Sequence, residues 1–310
     1  MPASGETAED ISIASVVVKP GILLGGDLNI VSPTAEYDSA FLALTISSGA
    51  THKYLSSLAQ GKSVVHLHNA DIQSVSAKFP TKREQEKIHL LFGKIDTLIT
   101  LHQRKYDKLT NVKKSMLEKM FPQNGSNVPE IRFKGFTEAW EQRKVREVTD
   151  RYDNLRIPVA ASLRVAGTTP YYGANGIQDY VDGYTHDGEF ILVAEDGAND
   201  LKNYPVKCVK GRIWVNNHAH VLQGKYDCAD NQFLAYAISQ ADIESLLVGG
   251  GRAKLNAETL MGIDLLLPNK AEQIRIGKYL AQLDNLITLH QRELEKLKNL
   301  KKACLEKMFV

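Results

Sequence analysis

One segment of 42 residues occurs twice in this chain, and this duplication restricts the fold more than any other sequence feature. Residues 80–121 and 268–309 are identical at 23 of 42 aligned positions. The heptapeptide LITLHQR stands in the middle of both copies, and the pentapeptide LEKMF closes them. Because two copies of one element imply two related surroundings, the chain is predicted to contain two similar units.

Each copy is predicted to be one long helix. Both copies begin with a proline, place a glutamate (Glu84, Glu272) in the first turn, and continue with good helix formers. Apolar residues recur at coiled-coil spacing. The predicted seam consists of Ile95, Leu98, Leu109, Val112 and Met116 in the first copy, and of Leu283, Leu286, Leu297, Leu300 and Cys304 in the second. A stripe this narrow favours a single partner helix, so we predict that the copies pair as an antiparallel coiled coil.

His102 and His290 occupy equivalent positions on this seam. They are candidates for a metal site or a pH switch, and the alternative is a polar residue that sets the register of the helices. No carboxylate or cysteine cluster accompanies them in the sequence, which favours the register role.

The segment between the copies has the character of a mixed α/β globular domain. Short apolar runs at 190–193, 212–215 and 219–222 are broken by Gly, Asn and Asp, as in a sheet with turns. The residues before the first copy match only the end of that domain, since Phe41-Leu-Ala-Leu resembles Phe233-Leu-Ala-Tyr, and about half of a domain is missing. The predicted division is a partial domain at 1–79, a helix at 80–121, a complete domain at 122–268 and a second helix at 269–310.

Composition and charge narrow the function classes. The 310 residues are 43% hydrophobic and 24% charged, which is ordinary for a folded protein. The net charge is only +2, but Lys and Arg exceed Asp and Glu by 5 in residues 81–121 and by 4 in 269–310. No apolar run approaches the ~20 residues of a membrane span, no signal peptide stands at the start, and the three cysteines form no CxxC pair. We therefore expect a cytoplasmic protein.

Motifs of catalysis are missing from the sequence. Gly61-Lys-Ser63 resembles the end of a phosphate-binding loop, but the position of its first glycine is Ser56. The sequence contains no Asp- or Asn-Pro-Pro-aromatic tetrapeptide, GxGxxG, HExxH or GxSxG. The chain is thus predicted not to be an enzyme and to hold no cofactor of its own.

The loops of the 122–268 domain carry amides, aromatic rings and basic groups, which read base edges or grip phosphates. The candidate DNA-binding residues are Tyr172, Asn175, Glu195, Asp196, Asn199, Asn217, His218, Arg252 and Lys254. The alternative is structural, because Gly–Asn stretches are often turns and tyrosines such as Tyr172 often belong to a core.

These features together resemble the specificity subunit of type I restriction-modification systems. The resemblance rests on the duplicated helix that ends in LEKMF, on Trp140-Glu-Gln-Arg-Lys144 at the entry to the complete domain, on Tyr172-Gly-Ala-Asn-Gly176 within it, and on Pro268 with Glu272-Gln273 at its exit. It implies a DNA-recognition subunit that directs methylation and cleavage by partner subunits. Two target-recognition domains would each read half of a bipartite site on double-stranded DNA, with the helices as the spacer.

The same resemblance implies the partners. Modification (methyltransferase) and restriction (translocase and nuclease) subunits would dock on the chain, and S-adenosylmethionine, Mg²⁺ and ATP would belong to them. The sequence departs from the family plan in its first domain, which lacks the stretch that corresponds to 172–217. Loss of function, recognition of one half-site, and a homodimer reading a symmetric site all stay open. So does a coiled-coil scaffold that binds or sequesters modification subunits without touching DNA.

Overall fold

The structure of the chain is a computed structural model that describes residues 1–123, 125–249 and 253–309. The chain forms two compact units: unit 1 comprises Met1–Asp107 with Thr288–Val310, and unit 2 comprises Lys108–Ile287. The helices are α1 (Ala8–Ile11), α2 (Ser39–Ile46), α3 (Gly49–Leu58), α4 (Asn69–Gln73), α5 (Lys82–Lys119), α6 (Val145–Val148), α7 (Asn231–Ser239), α8 (Ala257–Gly262) and α9 (Lys270–Met308). The strands are β1 (Ser4–Gly5), β2 (Val65–His66), β3 (Glu141–Lys144), β4 (Thr149–Arg151), β5 (Ala166–Gly173), β6 (Gly176–Val181), β7 (His186–Ala194), β8 (Val206–Val215), β9 (Ala219–Gly224) and β10 (Asp264–Leu267).

Unit 1 is a small helical unit. Its only pairing of named strands in the described residues is the antiparallel pair β1–β2, with Ser4 opposite His66. One apolar cluster joins α1, α3 and the end of α2, and a second joins α2 to the paired helices. The second cluster contains Phe41, Phe92 and Phe309, which are all buried.

Unit 2 contains a six-stranded sheet in the order β4-β9-β7-β8-β5-β6. Neighbouring strands are antiparallel except β5 and β8, which run parallel with Tyr171 opposite Trp214. Helix α7 packs against β7 and β8 with its buried face. The predicted mixed α/β fold with two long helices is confirmed.

The long helices α5 and α9 run antiparallel within each unit. In unit 1, Asp96 pairs with Lys301 at 2.6 Å. Farther along α5, the Nδ1 atoms of His102 and His290 lie 3.1 Å apart. In unit 2, Lys113 pairs with Asp284 at 2.5 Å. None of the helices in the described part of the chain combines the length and the apolar character that a membrane crossing requires.

The predicted seam of these helices is right at some positions and wrong at others. Ile95 and Leu283 are buried, but Leu98 and Leu286 are each 44% exposed and Leu300 is 50% exposed. A heptad alternates steps of three and four residues, so the three-residue step from Phe92 to Ile95 must be followed by a step of four. The step of four leads to Ile99 instead of its apolar neighbour Leu98.

Candidate DNA-recognition surface

The loops of unit 2 that carry the candidate residues meet in one place. The side chain of Asn175, in the turn between β5 and β6, donates from Nδ2 to the carbonyl of Gly197 at 2.9 Å. Its Oδ1 accepts from the backbone N–H of Asn199 at 3.0 Å. Both partners lie in the loop after β7, so a single amide joins two of the predicted loops.

Backbone hydrogen bonds bring two more loops to the same place. The N–H of Glu195 donates to the carbonyl of His218 at 2.9 Å, and the carbonyl of Glu195 accepts from Leu255 at 2.8 Å. Asp196 also forms an isolated antiparallel bridge with Lys254. Residues from four separate stretches of sequence therefore form one continuous surface.

A cluster of charged side chains lies beneath this surface and stabilises the loops. Glu195 pairs with Arg156 at 2.6 Å and with Lys254 at 3.0 Å. The buried ring of His220 contacts Asp153 at 2.8 Å through Nδ1 and the carbonyl of Leu255 at 2.9 Å through Nε2. We therefore describe Glu195 as a positioning residue, because its carboxylate holds the loops together.

The pKa values of the two acids in the cluster reflect these contacts. Burial raises the pKa of Asp153, but hydrogen bonds from His220 and from the backbone of Val221 lower it by more than burial raises it. The pKa therefore lies below its usual value. The pKa of Glu195 is also depressed: burial raises it, and hydrogen bonds from Arg156 and Lys254 outweigh that effect. Both carboxylates are thus charged at neutral pH.

Asp153, Glu195 and His220 lie close enough to hold a metal ion, with ligand atoms within 4.8 Å of one another. The side chains present fit an ion-pair network better than a metal site. Arg156 contacts both carboxylates, and Nε2 of His220 faces a backbone carbonyl, which requires an N–H. Arg156 and Lys254 therefore balance the charge of the carboxylates, as a metal ion would otherwise do.

The candidates differ in how freely their side chains face solvent. Asn199 and Asn217 are exposed, and neither side chain makes a hydrogen bond within the described part of the chain. An exposed asparagine amide offers the donor and the acceptor that adenine presents for bidentate pairing. Lys254 is half-exposed although it contacts Glu195.

Other candidates make contacts within the protein. His218 contacts Asp196 at 2.5 Å. Tyr172 is buried, and burial raises the pKa of its phenol. Arg252 lies outside the described residues. As DNA contacts, all nine candidates stay predictions.

The sequence analysis missed Asp153, Arg156 and His220, which hold the loops in place. Asp153 and Arg156 are three residues apart, but His220 lies 67 residues from Asp153, so no local spacing in the sequence brings all three together. One signal was present: His220 interrupts the apolar run 219–222, and a histidine on a buried strand requires a polar partner.

Comparisons with known proteins agree with this architecture. The family model described as the type I restriction modification DNA specificity domain matches residues 137–299, which is more than half of the chain. This chain belongs to that family. The match includes β3 to β10 and most of α9, and therefore the whole candidate surface.

Other members of the specificity-subunit family are similar over different lengths. A Haemophilus influenzae protein named as a type I restriction enzyme specificity subunit is 44% identical over 146 residues, which is 47% of this chain and 38% of that protein. The MjaVIII specificity subunit of Methanocaldococcus jannaschii is 23% identical over 92% of this chain and 72% of its own length. The crystal structure of the S subunit from M. genitalium has a TM-score of 0.70 at 15% identity, covering 89% of this chain and 73% of that one. That structure supports the fold.

Proposed function

We propose that this chain is the DNA-recognition subunit of a type I restriction-modification complex and that unit 2 reads one half of its target. The observation that carries the proposal is the convergence of four loops, with Asn199 and Asn217 exposed above a fixed charged cluster. A rigid base suits specific readout, because base-edge hydrogen bonds require side chains in defined positions.

Partner subunits belong to the same proposal. The duplicated LITLHQR motif leaves Leu98 and Leu101 of α5 exposed, and the equivalent Leu286 and Leu289 of α9 are exposed to a similar degree. Repeated apolar residues on a helix surface suit two copies of one partner protein. We infer that modification subunits dock there and that restriction subunits join them. S-adenosylmethionine, Mg²⁺ and ATP would bind to those partner subunits, and the complex would work in the cytoplasm.

The test is to co-express the chain with its modification subunit and to map methylated adenines across the genome. We expect one sequence motif, and Asn199→Ala with Asn217→Ala should relax or abolish it. A lost bidentate amide–base pair costs ~1–3 kcal/mol, or roughly 5- to 150-fold in DNA affinity. The control is Asn299→Ala, on the exposed face of α9.

The outcome of the methylation map discriminates between the candidate functions. A palindromic motif would indicate that two chains assemble, and a motif with one half-site would indicate that unit 2 reads alone. A stable complex with no methylation motif and no salt-dependent DNA binding would contradict DNA recognition and favour the scaffold. Methylation by the purified chain alone would contradict the non-catalytic role.

A further inference from the structure

In unit 2, a short segment after α5 covers an aromatic pair. The rings of Phe121 and Phe233 stack with centroids 5.4 Å apart. Trp140 packs edge-on against both, at 5.8 Å and 5.7 Å, and is only 2% exposed. The segment 127–140 thus ends in an aromatic anchor that closes the pair from solvent.

The same segment is also held by an ion pair. Arg132 donates from Nε and Nη2 to the two carboxylate oxygens of Glu272, both at 2.7 Å. The side chain of Glu272 is fully buried, and the hydrogen bond to it raises the pKa of Arg132. A bidentate pair of this kind fixes orientation as well as charge. Arg132 and Trp140 therefore supply the segment's buried ion pair and its aromatic contact with the phenylalanine pair.

Unit 1 repeats the floor of this arrangement. Phe41 and Phe309 pack with centroids 5.5 Å apart, at the positions equivalent to Phe233 and Phe121. The N–H of Asp38 donates to Oε1 of Gln85 at 2.9 Å. In unit 2 the matching pair, Asp230 and Gln273, has the same bond at 3.0 Å.

Unit 1 closes its aromatic pair in a different way, because Phe79 packs edge-on against Phe41 with centroids 6.0 Å apart. A groove of about 870 Å³ opens beside the aromatic pair and is lined by Phe41, Phe79, Ile88, Phe309 and Glu84. Glu84 is the equivalent of Glu272, yet it is exposed and makes no ion pair with any described residue. Residues 74–80 line one side of the groove, and within 1–123, 125–249 and 253–309 no arginine pairs with Glu84 as Arg132 pairs with Glu272. The groove therefore has an aromatic floor and an unused carboxylate.

We propose that this groove binds a segment of another polypeptide with an arginine and a tryptophan eight positions apart, as at Arg132 and Trp140. The arginine pairs with Glu84, and the tryptophan packs in the groove against Phe79 and the edges of Phe41 and Phe309. Charge complementarity selects this occupant, because unit 2 satisfies the equivalent carboxylate with an arginine. Aromatic and arginine anchors in pockets are also the side chains that dominate peptide and protein binding.

The probe is a fluorescein-labelled peptide with the sequence of residues 127–142, titrated with the full chain while anisotropy is measured. We expect saturable binding of one peptide per chain. Glu84→Gln should weaken it at least tenfold, and so should Arg132→Gln or Trp140→Ala in the peptide. Glu86→Gln, an exposed neighbour on α5, is the matched control and should bind as the parent does.

A charge exchange makes the test independent of folding. The Glu84→Arg chain should reject the parent peptide and recover binding to the peptide with Arg132→Glu. Absence of binding to the parent chain would overturn the proposal, and so would binding that Glu84→Gln leaves unchanged, which would mean that the peptide displaces the segment of unit 2. A dimer of the chain alone that the peptide dissociates would overturn the assignment to a different polypeptide and name a second copy as the occupant.

Discussion

Units 1 and 2 contain the same helical module but cover it differently. In unit 2, Leu234 and Ile238 of α7 are fully buried beneath the sheet. The equivalent residues of α2, Leu42 and Ile46, line an open groove of about 550 Å³, and Leu42 is only half-buried. The module is one short helix, α2 or α7, with the first turns of a long helix. Its N-cap bond and its glutamine contact recur in both units, and Asp38 also contacts His89 at 2.7 Å. What differs is whether a sheet covers it.

The helical module forms the scaffold of both units, whereas the candidate recognition surface belongs to unit 2. The module depends on local contacts: a helix N-cap, a glutamine side chain and an aromatic pair. The recognition surface needs the sheet, because its loops connect β5, β7, β8 and β9. Unit 1 keeps the module without the surface, so the equivalent positions of the two units offer matched variants.

The largest difference is expected at the buried ion pair. Arg132→Met leaves the carboxylate of Glu272 buried without a partner, which should lower the free energy of unfolding of unit 2 by about 4 kcal/mol. In unit 1, Glu84→Gln should change stability little, because Glu84 is exposed. Both tryptophans of the chain, Trp140 and Trp214, lie in unit 2, so urea unfolding followed by their fluorescence reports on that unit. Hydrogen exchange in the first turns of α5 reports on unit 1, and a loss of stability there equal to that of Arg132→Met in unit 2 would contradict the comparison.

The next difference concerns the two short helices, α2 and α7. Leu234→Ala removes a fully buried side chain and should destabilise unit 2 by about 3 kcal/mol, because the rigid sheet cannot fill the cavity. Leu42→Ala should cost about 1 kcal/mol, since the side chain is already half in solvent. Urea midpoints from tryptophan fluorescence, for unit 2, and local hydrogen exchange in α2, for unit 1, measure the two effects. A loss at Leu42 as large as that at Leu234 would show that α2 is covered in solution.

The helix caps should behave alike. Asp38 accepts from the N–H of Phe41 at 2.8 Å, and Asp230 accepts from the N–H of Phe233 at the same distance. Asp38→Ala and Asp230→Ala should each cost about 1 kcal/mol. Amide exchange in the first turns of α2 and α7 measures the cost in each unit. A difference greater than about 1 kcal/mol between the two would show that the modules are not equivalent.

These positions also show what sequence can and cannot predict. The long helices followed from the repeat and from apolar spacing, which are local signals. The exact seam failed at Leu98 because Leu98 and Ile99 are both apolar, and only the three-four alternation through Ile95 separates them. The loops were found by their composition, but the cluster under them depends on Asp153 meeting His220, a contact set by the pairing of strands.

The smallest effect concerns the pH dependence of unit 1. Two of its six histidines, His102 and His290, share one hydrogen bond between Nδ1 atoms, and only one of the two atoms can donate. Burial lowers the pKa of His290, and the charges of His102 and Lys105 lower it further. A folded-state pKa below the unfolded value means that the unfolded chain takes up protons more readily, so stability falls as pH drops through about 6.5.

Unit 2 contains groups that act in two pH ranges: burial lowers the pKa of His186, which costs stability as pH drops through about 6.5, whereas the acids beneath the recognition loops act at lower pH. The depressed pKa values of Asp153 and Glu195 stabilise the fold above the unfolded value of about 4 and cease to do so only as pH falls through the lower folded values. Hydrogen exchange, corrected for intrinsic rates, should therefore quicken in the His102 and His290 segments between pH 7.5 and 5.5, while the loops near Glu195 keep their protection. The double variant His102→Gln/His290→Gln should abolish the change in unit 1. If that variant kept the full pH dependence, the histidine pair would not be its cause, and the pair would serve only to set the register of the helices.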